Sequence, residues 1–177
     1  MNKSELHSSR LEELIGAITC EVVFQEGAYR KVHLRDQTSI SKTLGLVYFN
    51  DFTDNSLLRA HQQIVKGSLL GMTLQMSGLG FSKVYLGSFE LLLSEDLQHD
   101  FATREDRTLA LYSQIVVKRS DSPDEEEIYA DILEVVSPDI RNHFNEKAPP
   151  MIHINGSIEK LCKFGGVQPF KPSRNNK

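Results

Sequence analysis

Two cysteines, no tryptophan and no apolar run long enough to cross a bilayer are the first shortages of this sequence. Cys20 and Cys162 stand alone, without the spacing of a disulfide framework, a zinc site or a redox pair, which is the usage of a protein kept in a reducing cytosol. The start of the chain, Met1 to Ile15, carries Glu5, Arg10, Glu12 and Glu13 and no apolar stretch, so neither a signal peptide nor a membrane anchor is expected there. Basic residues are also short: 20 Lys+Arg against 24 Asp+Glu give a net charge of −4 without a basic stripe, which argues against nucleic acid as the main partner.

Motifs of cofactor chemistry are missing too. The six histidines His7, His33, His61, His99, His143 and His153 show no metal-ligand spacing, and no Walker loop, dinucleotide fingerprint or nucleophile elbow occurs. The expectation is a site that works without metal or cofactor. What is present is ordinary: 40% hydrophobic and 25% charged residues over 177 positions, enough for one domain with its own core.

Periodicity divides the chain into helices and strands. Ser4 reads as the cap of a short helix through Leu11 and Leu14, stopping near Gly16. Ile18, Cys20, Val22 and Phe24 then alternate as a strand. Glu26-Gly27 turns it into a second strand, Tyr29 to Leu34, and Thr43 to Phe49 is a third. Asp54 or Asn55 caps a helix ending at Gly67, and Ser68 is expected to cap another from Leu69 to Met76. A long strand runs from Phe81 to Leu93, with Tyr85, Phe89, Leu91 and Leu93 on one face. Ser94 opens a helical turn. Thr108 to Lys118 and Ile128 to Val136 form a hairpin around a polar loop, and Ser137-Pro138-Asp139 starts a short helix to Phe144.

This order predicts an α+β domain, an antiparallel sheet with helices packed on one face, over residues 1–144. Residues 145–177 read as a C-terminal appendage: a linker at 147–150, an edge strand at Met151 to Asn155, a short helix from Ser157 to Phe164 and a basic tail from Pro169.

Within this frame one residue is out of place. In Arg30-Lys31-Val32-His33-Leu34, period-two geometry puts Arg30 on the apolar side with Val32 and Leu34. A guanidinium keeps its proton and is costly to bury unpaired, so an inward Arg30 requires a carboxylate, from the protein or from a ligand. Two candidate partners lie on the last strand: Asp131, in phase with Tyr129, Leu133 and Val135, and Glu134, in phase with Ile128, Ile132 and Val136. Either a structural ion pair or a ligand-binding pair fits the sequence. For a ligand site the expected cavity is at the low end of about 300–1,000 Å³. The Gly67-Ser68-Leu69-Leu70-Gly71 stretch adds backbone N–H groups at a helix start.

The stretches HSSRLEELIGAITCEVVFQEG, AYRKVHL and TLGLVYFNDFTDNSLLRAHQQIVKGSLLGMTL, followed by LYSQIVVK and EIYADILEVVSPDI, resemble the bacterial chorismate pyruvate-lyases of ubiquinone biosynthesis and their UTRA-like relatives. The resemblance covers about residues 7 to 140 and implies the chorismate lyase-like fold. It further implies a cofactor-independent elimination that releases pyruvate from chorismate to give 4-hydroxybenzoate, or a related reaction on a small aromatic carboxylate. On it, the arginine that holds the product carboxylate falls on Arg30, the assisting backbone amide on Leu70, and the glutamate of the last strand on Asp131, with Glu134 the near alternative. The family's second arginine falls near Leu46, and the segment between the first two strands is about 20 residues shorter here. The alternative is a non-catalytic sensor module of the same fold that binds a small carboxylate through Arg30. A third possibility is a structural protein in which Arg30 and Asp131 pair.

Overall fold

The computed structural model describes residues 7–119, 122, 124–151 and 153–170. The expected cap Ser4 and most of the basic tail lie outside these residues.

Among the described residues the strands form one antiparallel sheet in the order β1-β2-β3-β6-β5-β4-β7. They are β1 (Thr19–Glu26), β2 (Tyr29–Arg35), β3 (Ser41–Phe49), β4 (Phe81–Leu92), β5 (Arg107–Lys118), β6 (Glu126–Val136) and β7 (Gln168–Pro169). The helices are α1 (His7–Ile15), α2 (Asn55–Val65), α3 (Leu70–Met76), α4 (Glu95–Asp100) and α5 (Gly156–Gly165). Both expected hairpins form. Gly27 turns β1 into β2 at a φ of 55°, a left-handed value that glycine adopts without a Cβ penalty.

Helices cover both faces of the sheet, not one. The inner strands are apolar on both sides, so each face needs a cover. Leu44, Leu46, Leu133 and Val135 meet Ile158, Leu161 and Cys162 of α5 and Leu97 of α4. On the opposite face, Val47, Ile115 and Ile132 lie in one cluster with Leu57 and Ile64 of α2 and Leu74 of α3. Beside it, Leu34, Leu111 and Val136 pack with Leu11 of α1 and Phe144.

Ala148, Ile158, Leu161, Cys162 and Val167 are therefore part of the core. Asn155 caps α5 by accepting from the Ile158 N–H at 3.0 Å. Gly165 lies so close to Leu46 that any Cβ there would collide with that side chain. The strand expected at Met151 to Asn155 is absent among its described residues. A single bridge between Ser88 and Pro150 stands just before it, and the short β7 pairs with the end of β4. The helix expected after Ser137 shrinks to a 3₁₀ turn at Arg141–His143.

Four irregularities interrupt the strand pairing. They fall between Val22 and Phe24 in β1, opposite Leu34/Arg35 in β3, where Lys42 is the extra residue, between Tyr85 and Gly87 in β4, and opposite Ile115/Val116 in β6, where Tyr129 is the extra residue. As a result Tyr85 packs beside Leu111 while Phe89 and Leu91 pack on the α5 side, so the expected shared face of Tyr85 with Phe89, Leu91 and Leu93 is split in two. Tyr129, expected in phase with Asp131, instead joins Ala130 and Ile132 in the cluster under α2.

Candidate functional site

Arg30 points inward, as its phase requires, and is 2% exposed. It stands in a cross-strand row with Val47 and Ile132, on the sheet face covered by α1, α2 and α3. Its Nη2 donates to the carbonyl oxygen of Ser68 at 2.9 Å. Its Nε and Nη1 are buried without a hydrogen-bond partner. The Cys20 thiol lies beside the guanidinium, but sulfur is a weak acceptor and a neutral thiol supplies no charge. Burial pushes that thiol up, against the pull of Arg30.

Ser68 does not cap α3 as expected. The residue at the cap position is Leu69, with no side-chain cap bond, and Ser68 contributes its carbonyl to Arg30 instead. The connection into α3 then places Leu69, Leu70 and Gly71 along the wall of a cavity of about 90 Å³, far smaller than expected. This cavity lies between the two clusters of its sheet face. Gly45 forms part of the floor, where a Cβ would come within 3.0 Å of Val32.

The two candidate carboxylates lie on opposite faces of β6. Glu134 lines the cavity with Arg30 and Leu70. Asp131 does not face Arg30: it is in register with Tyr48, on the α5 side, where alternation along β6 directs it. There it is fully engaged, accepting from Tyr112 Oη, from Gln114 Nε2 at 2.9 Å and from Asn50 Nδ2 at 3.1 Å. Burial and Asp131 push the Tyr112 hydroxyl up to about 12. An Arg30–Asp131 ion pair is absent, and Leu46, on that same far side, packs against α5.

Glu134 has a partner of its own. Lys83 Nζ, on β4, donates to Glu134 Oε1 inside the protein. Burial alone would raise the Glu134 carboxyl, but His7 and Lys83 outweigh it and hold the group below its ordinary value. His7, at the start of α1, is hydrogen-bonded through Nε2 to Thr43 Oγ1 at 2.8 Å. Its Nδ1 stands 3.4 Å from Glu134 Oε2, and neither of these two atoms has a hydrogen bond. Burial lowers the His7 pKa to about 4, so the ring is neutral at pH 7.

Lys83, His7 and Cys20 complete a site for which sequence reasoning supplied only Arg30, Leu70 and Glu134. One signal for Lys83 was available, since it alternates with Phe81 and Tyr85 as Arg30 does with Val32 and Leu34. Among the described lining residues, Lys83 and Glu134 form a pair, His7 is neutral, and Arg30 contributes a positive charge with no carboxylate against it. Such a wall is suited to an anion with an apolar body. Among the described residues, no group of three or more His, Cys, Asp or Glu is placed to hold a metal, and no helix is long and apolar enough to cross a membrane. No protein-family model matches this chain, and no curated protein matches it.

Proposed function

We propose that this protein binds one small carboxylate in the cavity beneath the α2–α3 connection, with the carboxylate seated on Arg30. The observation that carries this reading is a guanidinium 2% exposed with two nitrogens lacking partners, in a cavity lined by Val32, Val47, Leu70 and Ile132. Leaving such a charge without an anion costs several kcal/mol, which a bound carboxylate offsets. Nη2 has two hydrogens and Ser68 takes one. The other lies parallel to a neighbouring N–H that has no acceptor, a pair of donors that the two oxygens of a carboxylate can bridge.

The second reading is a lyase that releases pyruvate from chorismate and leaves 4-hydroxybenzoate. It is favoured by the meeting of Arg30, Leu70 and Glu134 in one cavity, the positions to which the resemblance carries the family's site once Glu134 replaces Asp131. That elimination is driven by aromatisation and needs only an oriented substrate and one proton transfer. Chorismate brings two carboxylates to a lining whose described residues have Arg30 as the cation without a carboxylate against it, so the binding-module reading is the better match.

Titration calorimetry with acetate and 4-hydroxybenzoate, beside a pyruvate-release assay on chorismate coupled to lactate dehydrogenase, tests both. Carboxylate binding that vanishes in Arg30→Met supports the module, and pyruvate release above the uncatalysed rate establishes the lyase. Absence of both from folded protein rejects both.

A further inference from the structure

The lining of the Arg30 cavity combines unmet donors with an unmet acceptor. Arg30, 2% exposed, has Nε and Nη1 buried without a hydrogen bond. Glu134 Oε2 is buried without one too, although Lys83 holds the other oxygen of that carboxylate. His7 Nδ1, 3.4 Å from Oε2, is a third such atom. Arg30, His7 and Glu134 line one cavity, and Gly45, in register with Val32 on one strand and Glu134 on the other, puts no side chain on its floor. The volume is about 90 Å³, room for about three waters at ~30 Å³ each. Bonded atoms stand closer than hydrogen-bonded waters, about 1.2–1.5 Å against about 2.8 Å, so the same space takes one anion of three or four non-hydrogen atoms.

Resting on the carboxylate-site reading above, we infer that the ligand is hydrogencarbonate, an anion of four non-hydrogen atoms with a carboxylate edge and one hydroxyl. The two oxygens of the edge take the open donors of Arg30. A hydroxyl both donates and accepts, so its one oxygen can serve the two remaining atoms: it donates to Glu134 Oε2 and accepts from His7 Nδ1–H, the tautomer set when the Thr43 hydroxyl donates to Nε2. A single negative charge suits the site, because Lys83 is committed to Glu134. Acetate has the same number of non-hydrogen atoms but a methyl in place of the hydroxyl, and so leaves Oε2 unpaired. A longer tail or an aromatic ring must push apart walls that are already packed.

Calorimetric titration of the whole protein at pH 8 with hydrogencarbonate, acetate, butyrate and 4-hydroxybenzoate tests this. Hydrogencarbonate is expected to bind about tenfold tighter than acetate, the worth of one buried hydrogen bond. Acetate in turn is expected to bind about tenfold tighter than butyrate and 4-hydroxybenzoate. Arg30→Met is expected to abolish binding of both small anions. Gly45→Ala, which adds a Cβ to the floor within 3.0 Å of Val32 and keeps Arg30, is expected to weaken both by about tenfold. That variant serves where Arg30→Met does not fold. Acetate binding as tightly as hydrogencarbonate, or either larger acid binding more tightly than both, overturns the assignment of the ligand while leaving the carboxylate site standing. Hydrogencarbonate binding that neither variant weakens overturns it as well, by placing the ion elsewhere. A wild-type protein that binds none of the four overturns both readings.

Discussion

Arg30 Nη2 and the carbonyl oxygen of Ser68 are 2.9 Å apart, so the buried guanidinium is held by a neutral acceptor. The bond ties β2 to the connection between α2 and α3, the segment that also walls the cavity. A carbonyl orients a cation without neutralising it. Arg30 is thus held in place by the fold and left uncompensated in charge.

Replacing Arg30 by Met should therefore change the stability of the ligand-free protein little. Loss of the bond to Ser68 costs about 1 kcal/mol, and removal of an unpaired buried cation offsets it. Thermal melts of Arg30→Met are expected within about 4 °C of wild type. A fall several times larger would mean that Arg30 has a structural partner.

The opposite holds for Lys83 and Glu134, which are paired inside the protein. Glu134→Gln removes the carboxylate to which Lys83 Nζ donates and is expected to destabilise by roughly 3–5 kcal/mol. Lys83→Met with Glu134→Leu should recover much of that loss. A denaturant-unfolding cycle over the two singles and the double measures the coupling, and additive losses would contradict the pairing.

Acid should loosen the same region. The His7 pKa is about 4 in the folded protein against 6.5 for an ordinary histidine, so between these values the unfolded chain binds more protons than the native one. Stability is then full above pH 6.5 and falls toward pH 4, by up to roughly 3 kcal/mol for this group. The lowered Glu134 pKa acts in the same direction at still lower pH. Unfolding free energies of wild type and His7→Gln across pH 7 to 4 provide the check, with a shallower slope expected in the variant. Equal slopes would mean that His7 titrates normally.

The docking of α5 gives a further prediction. Leu161 is fully buried against the sheet, and Leu161→Ala is expected to cost about 2–5 kcal/mol, as in any well-packed core. A loss below 1 kcal/mol in urea unfolding would mean that α5 adds little to the core.

How much of this was legible depends on the range of the forces involved. Arg30 was legible because three alternating residues, 30, 32 and 34, fix its side of the strand by local geometry alone. The helices capped by Asp54 and Ser94 were legible for the same reason, since each cap bonds the backbone two or three residues on. The choice between Asp131 and Glu134 was not. Both sit on a strand that is apolar on each side, and only the pairing of β6 with β3 and β5 decides which carboxylate lines the Arg30 cavity. Bulges at Val23, Leu86 and Tyr129 each shift the side-chain phase by one residue, and nothing in the alternation announces them. The role of α5 escaped for a related reason: its helical period is local, whereas its seat against Leu46 is set by residues more than 100 positions away.

The central claim is that Arg30 holds a ligand carboxylate, and the Arg30 Nε–H resonance of ¹⁵N-labelled protein reports on it directly. Titration with acetate at pH 7 is expected to move that signal, and to slow its exchange with water, over the same concentration range in which heat is released. A resonance that stays unmoved while acetate binds elsewhere, or while no acetate binds at all, would contradict the account.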